Sequence, residues 1–349
     1  MQTTDYDFEF DKSLIAQVPV EPRDISRLMV ITRQSNRIEH YHFYDLPKFL
    51  ESGDLIIFNN SRVFPSRLVA QLSKSEAKVE ITLLHNISPN IWMCLARPGK
   101  KMKSGDKFEI RANNKSIRGE VIATEESGAK ILKFDKEEHL SDLGVVALPP
   151  YIKEPLVDPE RYQTVYSKIS GSVAAPTAGL HFTPELMEKI RATGAKPIFL
   201  TLHVGWDSFR LIRSKSVESH TLNSEYYEIS EEAANEINNA LLQKRRIISI
   251  GTTSVRLLEH VAKVNSLKNL PIKTTNLIAA GSGWADTFIT PGYTFRVVSS
   301  LVTNFHLPKS TLLMLTCAFG GRNLIMQAYA EASDMKYRFY SFGDAMMII

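Results

Sequence analysis

The chain has 349 residues, 44% of them hydrophobic and 23% charged, with 42 Lys and Arg against 38 Asp and Glu for a formal charge of +4. That length suits two domains whose cores bury about three quarters of the extended surface, and the composition excludes a largely disordered chain. Cys94 and Cys317, far apart in apolar contexts, exclude a disulfide framework or a cysteine-based zinc site and suit a reducing compartment.

Residues Met1 to Asp7 are acidic and polar, without the basic and apolar stretches of a secretory signal. The longest apolar run, near Leu312–Phe319, is far short of the ~20 residues a membrane helix needs. A soluble, cytoplasmic protein is expected, without membrane attachment and acting as a monomer.

Leu55–Phe58 reads as a buried strand of a central sheet. From Arg62 to Pro150 the style changes: this stretch carries 15 Lys and Arg against 11 Asp and Glu, which accounts for the whole excess of positive charge. Short β-rich runs at Arg67–Leu72, Lys78–His85, Ile91–Arg97, Lys107–Ile110, Ser116–Ala123 and Ala129–Phe134 are separated by turn signals such as Ser104-Gly105 and Ser127-Gly128. Six short strands at this spacing predict a small antiparallel barrel. Arg97 to Arg118 holds eight bases and two acids, a candidate phosphate-facing strip or else a solvated hairpin face. Leu148-Pro149-Pro150-Tyr151 marks a boundary.

Beyond it, strands alternate with helices. Thr183 caps a helix that Pro184 starts, and Ile198–Val204 is an extended apolar run. Ser230 caps a helix reaching Lys244, and the strand Ile247–Ile250 feeds a helix reaching about Val264. Phe295–Val302 is expected as a strand, Ser310–Phe319 and Asn323–Ala332 as helices, and Arg338–Phe342 as a last strand. The expected fold is therefore α/β: a layered core from residues 1–61 and 151–349, with residues 62–150 inserted as the barrel.

Four loops after apolar strands combine small residues with polar groups. Asn59-Asn60-Ser61-Arg62 offers side-chain amides beside a guanidinium, suited to a planar base or a carboxylate. Gly171 to Thr183 is nearly all small and contains Thr177 and His181, so backbone can approach a ligand closely. Gly251-Thr252-Thr253-Ser254-Val255-Arg256 is a hydroxyl-rich turn into a helix, and is neither a P-loop nor a nucleophile elbow. Thr303-Asn304-Phe305-His306 sets an amide and an imidazole around an aromatic ring. The histidines lack metal-ligand spacing, so no metal is expected. These features leave three readings open: a modifying enzyme, a noncatalytic RNA-binding protein, or a small-molecule transferase or hydrolase.

The same blocks carry a resemblance. GSVAAPTAGLHFT from Gly171, GTTSVRLLE from Gly251, TNFHLPKSTLLML from Thr303 and YRFYSFGDA from Tyr337 resemble the S-adenosylmethionine:tRNA ribosyltransferase-isomerases of queuosine biosynthesis. AQVPVEPRDISR, ending at Arg27, and Asn59–Val63 do so too, and the similarity spans essentially the whole chain. The resemblance implies an α/β core with an inserted barrel. It also implies transfer of the ribosyl part of S-adenosylmethionine to 7-aminomethyl-7-deazaguanine at the wobble position of tRNA, giving epoxyqueuosine with release of adenine and methionine. S-adenosylmethionine is then a co-substrate, with no permanently bound cofactor, and tRNA the macromolecular partner.

On that reading, His181 and His306 are candidate proton donors and Asp344 a candidate partner for ribose or positive charge. Asn60, Arg62, Thr177, Thr252, Thr253, Ser254, Arg256, Asn304, Phe305 and Glu225 are expected around the substrate, with Arg256 and its turn on the methionine carboxylate and Phe305 stacked on a base. Arg97, Lys100, Lys101, Lys103 and Arg118, with Trp92 nearby, are expected on the tRNA backbone. The chain departs from the family pattern at Trp206–Ile212 and at Asn223, where a histidine is usual and a titratable ring is lost.

Overall fold

In the computed structural model, which describes residues 1–112, 114–206, 212, 214–220, 222–267 and 277–349, β1 (Arg27–Thr32) and β2 (Arg37–His42) form a hairpin, followed by β3 (Leu55–Asn59) and β4 (Ser61–Val63). Six strands come next: β5 (Arg67–Leu72), β6 (Lys78–Ser88), β7 (Ile91–Arg97), β8 (Lys107–Ala112), β9 (Lys115–Thr124) and β10 (Lys130–Phe134). They close into an antiparallel barrel in the order β10-β7-β6-β5-β8-β9. Period-two alternation fills it: Leu68, Ala70 and Leu72 point inward from β5, Val79, Ile81 and Leu83 from β6. Gly119 makes room for a large neighbour, since a Cβ there would lie 2.4 Å from the Phe108 ring.

After α1 (Leu140–Leu143), β11 (Ile169–Ser172) pairs with β4. Then follow α2 (Pro184–Ala192), β12 (Lys196–Leu202), β13 (Glu225–Ile229), α3 (Glu231–Leu242), β14 (Ile247–Ile250) and α4 (Thr252–Leu267). The chain ends with β15 (Gly281–Ala285), β16 (Ser300–Asn304), α5 (Thr311–Gly320), α6 (Arg322–Asp334) and β17 (Ala345–Ile348). Caps stand where the hydroxyls predict them: the side chains of Thr183, Ser230 and Ser310 accept N–H groups of Leu186, Ala233 and Leu313.

A nine-stranded sheet orders these strands β15-β13-β12-β3-β14-β16-β17-β1-β2. Its central strands are buried on both faces, as layered α/β architecture requires. Leu55 and Ile57 of β3 join Val255, Leu258, Leu313 and Ile325 of α4, α5 and α6 in one core. Ile56 and Phe58 join Leu186, Met187 and Ile190 of α2 in the other. The fold is thus an α/β layered core with a small antiparallel barrel. Two compact units result: Met1–Arg62, Pro149–Ile169 and Ala175–Ile349 form one, Val63–Leu148 and Ser170–Ala174 the other. Among the described residues, no helix is long and apolar enough to cross a membrane.

Two expected strands are corrected. Of Phe295–Val302, only the residues from Ser300 onward are strand. Upstream, the buried Glu259 carboxylate accepts the N–H groups of Arg296, Val297 and Val298 at 2.9, 2.9 and 3.1 Å, so a side chain takes the place of a ladder. Arg338–Phe342 is a turn rather than a strand: Gly343 donates its N–H to the Tyr340 carbonyl, and Tyr340 adopts φ +70°. The last strand is β17, and the hairpin β1–β2 was not anticipated.

Candidate active site at the carboxyl ends of parallel strands

β12, β3, β14 and β16 run parallel, so their carboxyl ends emerge on one side of the sheet, where open α/β sheets bind ligands. Three of the four small-residue loops touch one another there. Gly251 donates its N–H to the Val302 carbonyl at 2.7 Å, and a Cβ on it would lie 3.5 Å from that of Ala178. The imidazole of His181 bonds the Asn304 amide at 3.1 Å.

That last contact belongs to a chain of hydrogen bonds with a readable polarity. Asn304 Nδ2 lies 3.2 Å from the Tyr340 carbonyl, which only accepts, so this atom is the amide NH2. Its other hydrogen meets Nε2 of His181, which therefore carries its proton on Nδ1 and donates it to Ser26 Oγ at 2.7 Å. The ring stacks on Phe43 with centroids 4.7 Å apart. Burial, reinforced by the charges of Arg338 and Arg23, pushes the His181 pKa down to about 3. His306, bonded to Thr303 Oγ1 at 2.9 Å, is likewise pushed down to about 3 by burial.

Both rings are accordingly neutral at neutral pH. Asp344 is tied to the protein's own backbone. Its buried carboxylate accepts the backbone N–H groups of Arg27 and Arg338 at 2.9 and 2.8 Å and pairs with the Arg27 side chain at 3.3 Å. It clamps the 338–344 turn. Phe305 is fully buried, packed edge-on against Tyr329 and Tyr337, so it is a core ring and not a stacking platform.

Arg256 and Glu225 form a buried pair at 2.8 Å, with Glu225 also accepting the Gly205 N–H at 2.9 Å. The guanidinium expected on a substrate carboxylate is thus committed within the protein. Ser254 spends its hydroxyl on the Ile250 carbonyl at 3.1 Å, whereas Thr253 Oγ1 is buried with no partner among the described residues. Thr252 is buried beside it in the first turn of α4.

The fourth loop, which follows β3 at the same carboxyl end, opens onto a different cleft. Asn60 accepts from Thr201 Oγ1 at 2.8 Å and lines a larger cleft of about 560 Å³ with Lys196, Phe199, Glu228 and Ser282. Arg62 is held by Ser167 and Glu160. Thr177, Asn304 and His306 instead share a narrow cleft of about 40 Å³ with Tyr151, Tyr340 and Ser341. Ser26, Tyr151 and Tyr340 were missed in the sequence; the serine and the second tyrosine lay inside the blocks that carried the resemblance.

In the barrel, Arg97, Lys100, Lys101, Lys103 and Arg118 are all exposed. Arg118 lies 3.8 Å from Glu109, while the other four have no ion-pair partner among the described residues. The indole N–H of Trp92 is taken by Glu137 at 3.1 Å. Most of Trp206–Ile212 lies outside the described residues, as does Thr221, next to His220, whose ring packs edge-on against Phe288. No group of His, Cys, Asp and Glu that could hold a metal occurs among the described residues.

Small-residue loops gathered at parallel strand ends, in a chain that also carries a basic barrel, define an enzyme that works on a small molecule within an α/β core. The chain belongs to the queuosine biosynthesis protein family, whose profile matches residues 3–348. It is 46% identical to the S-adenosylmethionine:tRNA ribosyltransferase-isomerase of Desulfitobacterium hafniense, over 100% of both chains. The enzyme of the same name from Finegoldia magna is 47% identical over 100% of this chain and 98% of its own. The crystal structure of an S-adenosylmethionine tRNA ribosyltransferase from Thermotoga maritima matches with a TM-score of 0.54 and 36% identity, covering 99% of this chain and 100% of that one.

Proposed function

We propose that the chain transfers and isomerises the ribosyl group of S-adenosylmethionine onto 7-aminomethyl-7-deazaguanine in the anticodon of tRNA, leaving epoxyqueuosine and releasing adenine and methionine in the cytoplasm. Full-length identity to enzymes named for this reaction carries the reading. The site fits its demands. The sulfonium supplies the electrophile, so the protein has to position two substrates and place hydrogen bonds where charge develops. The buried Thr253 hydroxyl and the Asn304–His181–Ser26 chain are the polar groups available for this. With its ring neutral, His181 acts as a fixed hydrogen-bonding partner, not as an acid.

The exposed bases Arg97, Lys100, Lys101, Lys103 and Arg118 face the tRNA backbone and read the shape of the anticodon arm. The reaction is tested by incubating the protein with S-adenosylmethionine and tRNA that carries the precursor base, then weighing the digested nucleosides. A mass gain equal to the epoxycyclopentanediol group, seen only with precursor-bearing tRNA, is expected. Tight tRNA binding without that gain would favour a noncatalytic RNA-binding protein.

A further inference from the structure

The side-chain oxygen of Asn304 is buried with no hydrogen-bond partner among the described residues. A buried acceptor left unmade is costly, and the amide has no freedom to relieve it. Turning it over would set Oδ1 against the Tyr340 carbonyl, and two acceptors repel. That carbonyl is itself fixed: Tyr340 holds φ +70°, an uncommon conformation for a bulky residue, while its N–H donates to the Phe305 carbonyl at 3.1 Å. Asn304 lines the narrow cleft whose walls include Tyr151, Thr177, Leu307, Tyr340 and Ser341. Among the described residues, no carboxylate, ammonium or guanidinium lines it.

A ligand part that enters this cleft brings a hydrogen-bond donor and no charge. Of the parts of S-adenosylmethionine, the amino acid end and the sulfonium are charged, the ribose offers O–H donors and the nucleobase an N–H donor, and walls that include Tyr151, Leu307 and Tyr340 suit the flat ring of the base. We propose that Asn304 Oδ1 accepts a hydrogen bond from the exocyclic 6-amino group of the adenine of S-adenosylmethionine, making Asn304 the residue that selects the base. The assignment rests on the ribosyl-transfer reading above. Tyr340 and His181 act through Asn304 as positioning residues, holding the amide in one orientation.

The test compares three thioethers that lack the sulfonium and cannot react: S-adenosylhomocysteine, its 6-oxo counterpart and its 6-hydrogen counterpart. Each is measured as an inhibitor of ribosyl transfer by the full chain with precursor-bearing tRNA. The 6-amino compound is expected to inhibit roughly 10- to 100-fold more strongly than either counterpart, the span expected for one buried hydrogen bond. In Asn304→Leu the preference is expected to fall below about threefold. Equal inhibition by all three compounds, inhibition by none, or a preference that survives in Asn304→Leu overturns the assignment. The comparison on the unaltered chain requires no variant, so the assignment stands or falls on it even where Asn304→Leu folds poorly. A chain that transfers no ribosyl group to precursor-bearing tRNA removes the reaction itself, and a chain that transfers it without base preference removes only the role of Asn304.

Discussion

His181 and His306 show how burial decides what a side chain can do. Below the ordinary histidine value of 6.5 the unfolded chain takes up protons, whereas the folded chain refuses them on these rings until about pH 3. Their folded values are depressed, so stability is fully present above 6.5 and is lost as the pH falls toward 3. The loss amounts to about 1 kcal/mol per pH unit for each ring. Urea unfolding between pH 7 and 5 should show this decline, and His181→Asn should remove part of it. A flat profile would mean that the folded rings take up protons. The Arg256–Glu225 pair is a second case. Arg256→Met leaves a carboxylate buried without its cation and should cost about 3–5 kcal/mol, read as a lower urea midpoint. Adding Glu225→Gln to that variant should recover part of the loss. The sequence showed these residue types in suggestive loops, but not their partners. Whether a guanidinium faces a ligand or an internal carboxylate depends on chain segments brought together only by the fold.

Among the elements, legibility followed local chemistry. The barrel strands announced themselves by alternation and turn residues, and the helices by hydroxyl caps, because each signal lies within a few residues of its effect. Residues 295–299 misread as a strand because Phe295, Val297 and Val298 are aromatic or β-branched, while the carboxylate that bends them sits in α4, far upstream. Removing it tests the explanation. Glu259→Ala strips three successive amides of their acceptor and should cost about 3 kcal/mol, with faster hydrogen exchange at Val297 and Val298. Glu259→Gln keeps one acceptor oxygen and should lose less. The 338–344 turn was misread for the same kind of reason: Asp344, buried on the backbone of Arg27 and Arg338, fixes a shape that local propensity does not encode.

For the whole molecule, the α/β class and the barrel were legible because alternation and layering are properties of long stretches. The convergence of loops was legible only in part: three of the four touch one another, and Asn60, though at the same end of the sheet, lines another cleft. Charge is also a property of the whole. Replacing Lys100, Lys101 and Lys103 with Ala should weaken tRNA binding more at low salt than at high salt. The slope of log affinity against log salt should fall by about 1 for each phosphate no longer neutralised. An unchanged slope would move the tRNA surface elsewhere.

The place of β17 bears on how the protein is made. Its four residues lie between β1 and β16, so Leu28 waits for Ala345, far downstream in the chain, as its parallel neighbour. While the ribosome is still translating, the hairpin β1–β2 has no docking partner and β16 keeps a bare flank. Sheet closure therefore waits until β17 has left the ribosome. Nascent chains halted before residue 345 should remain open to proteases and holdase chaperones even though nearly every other element has already emerged.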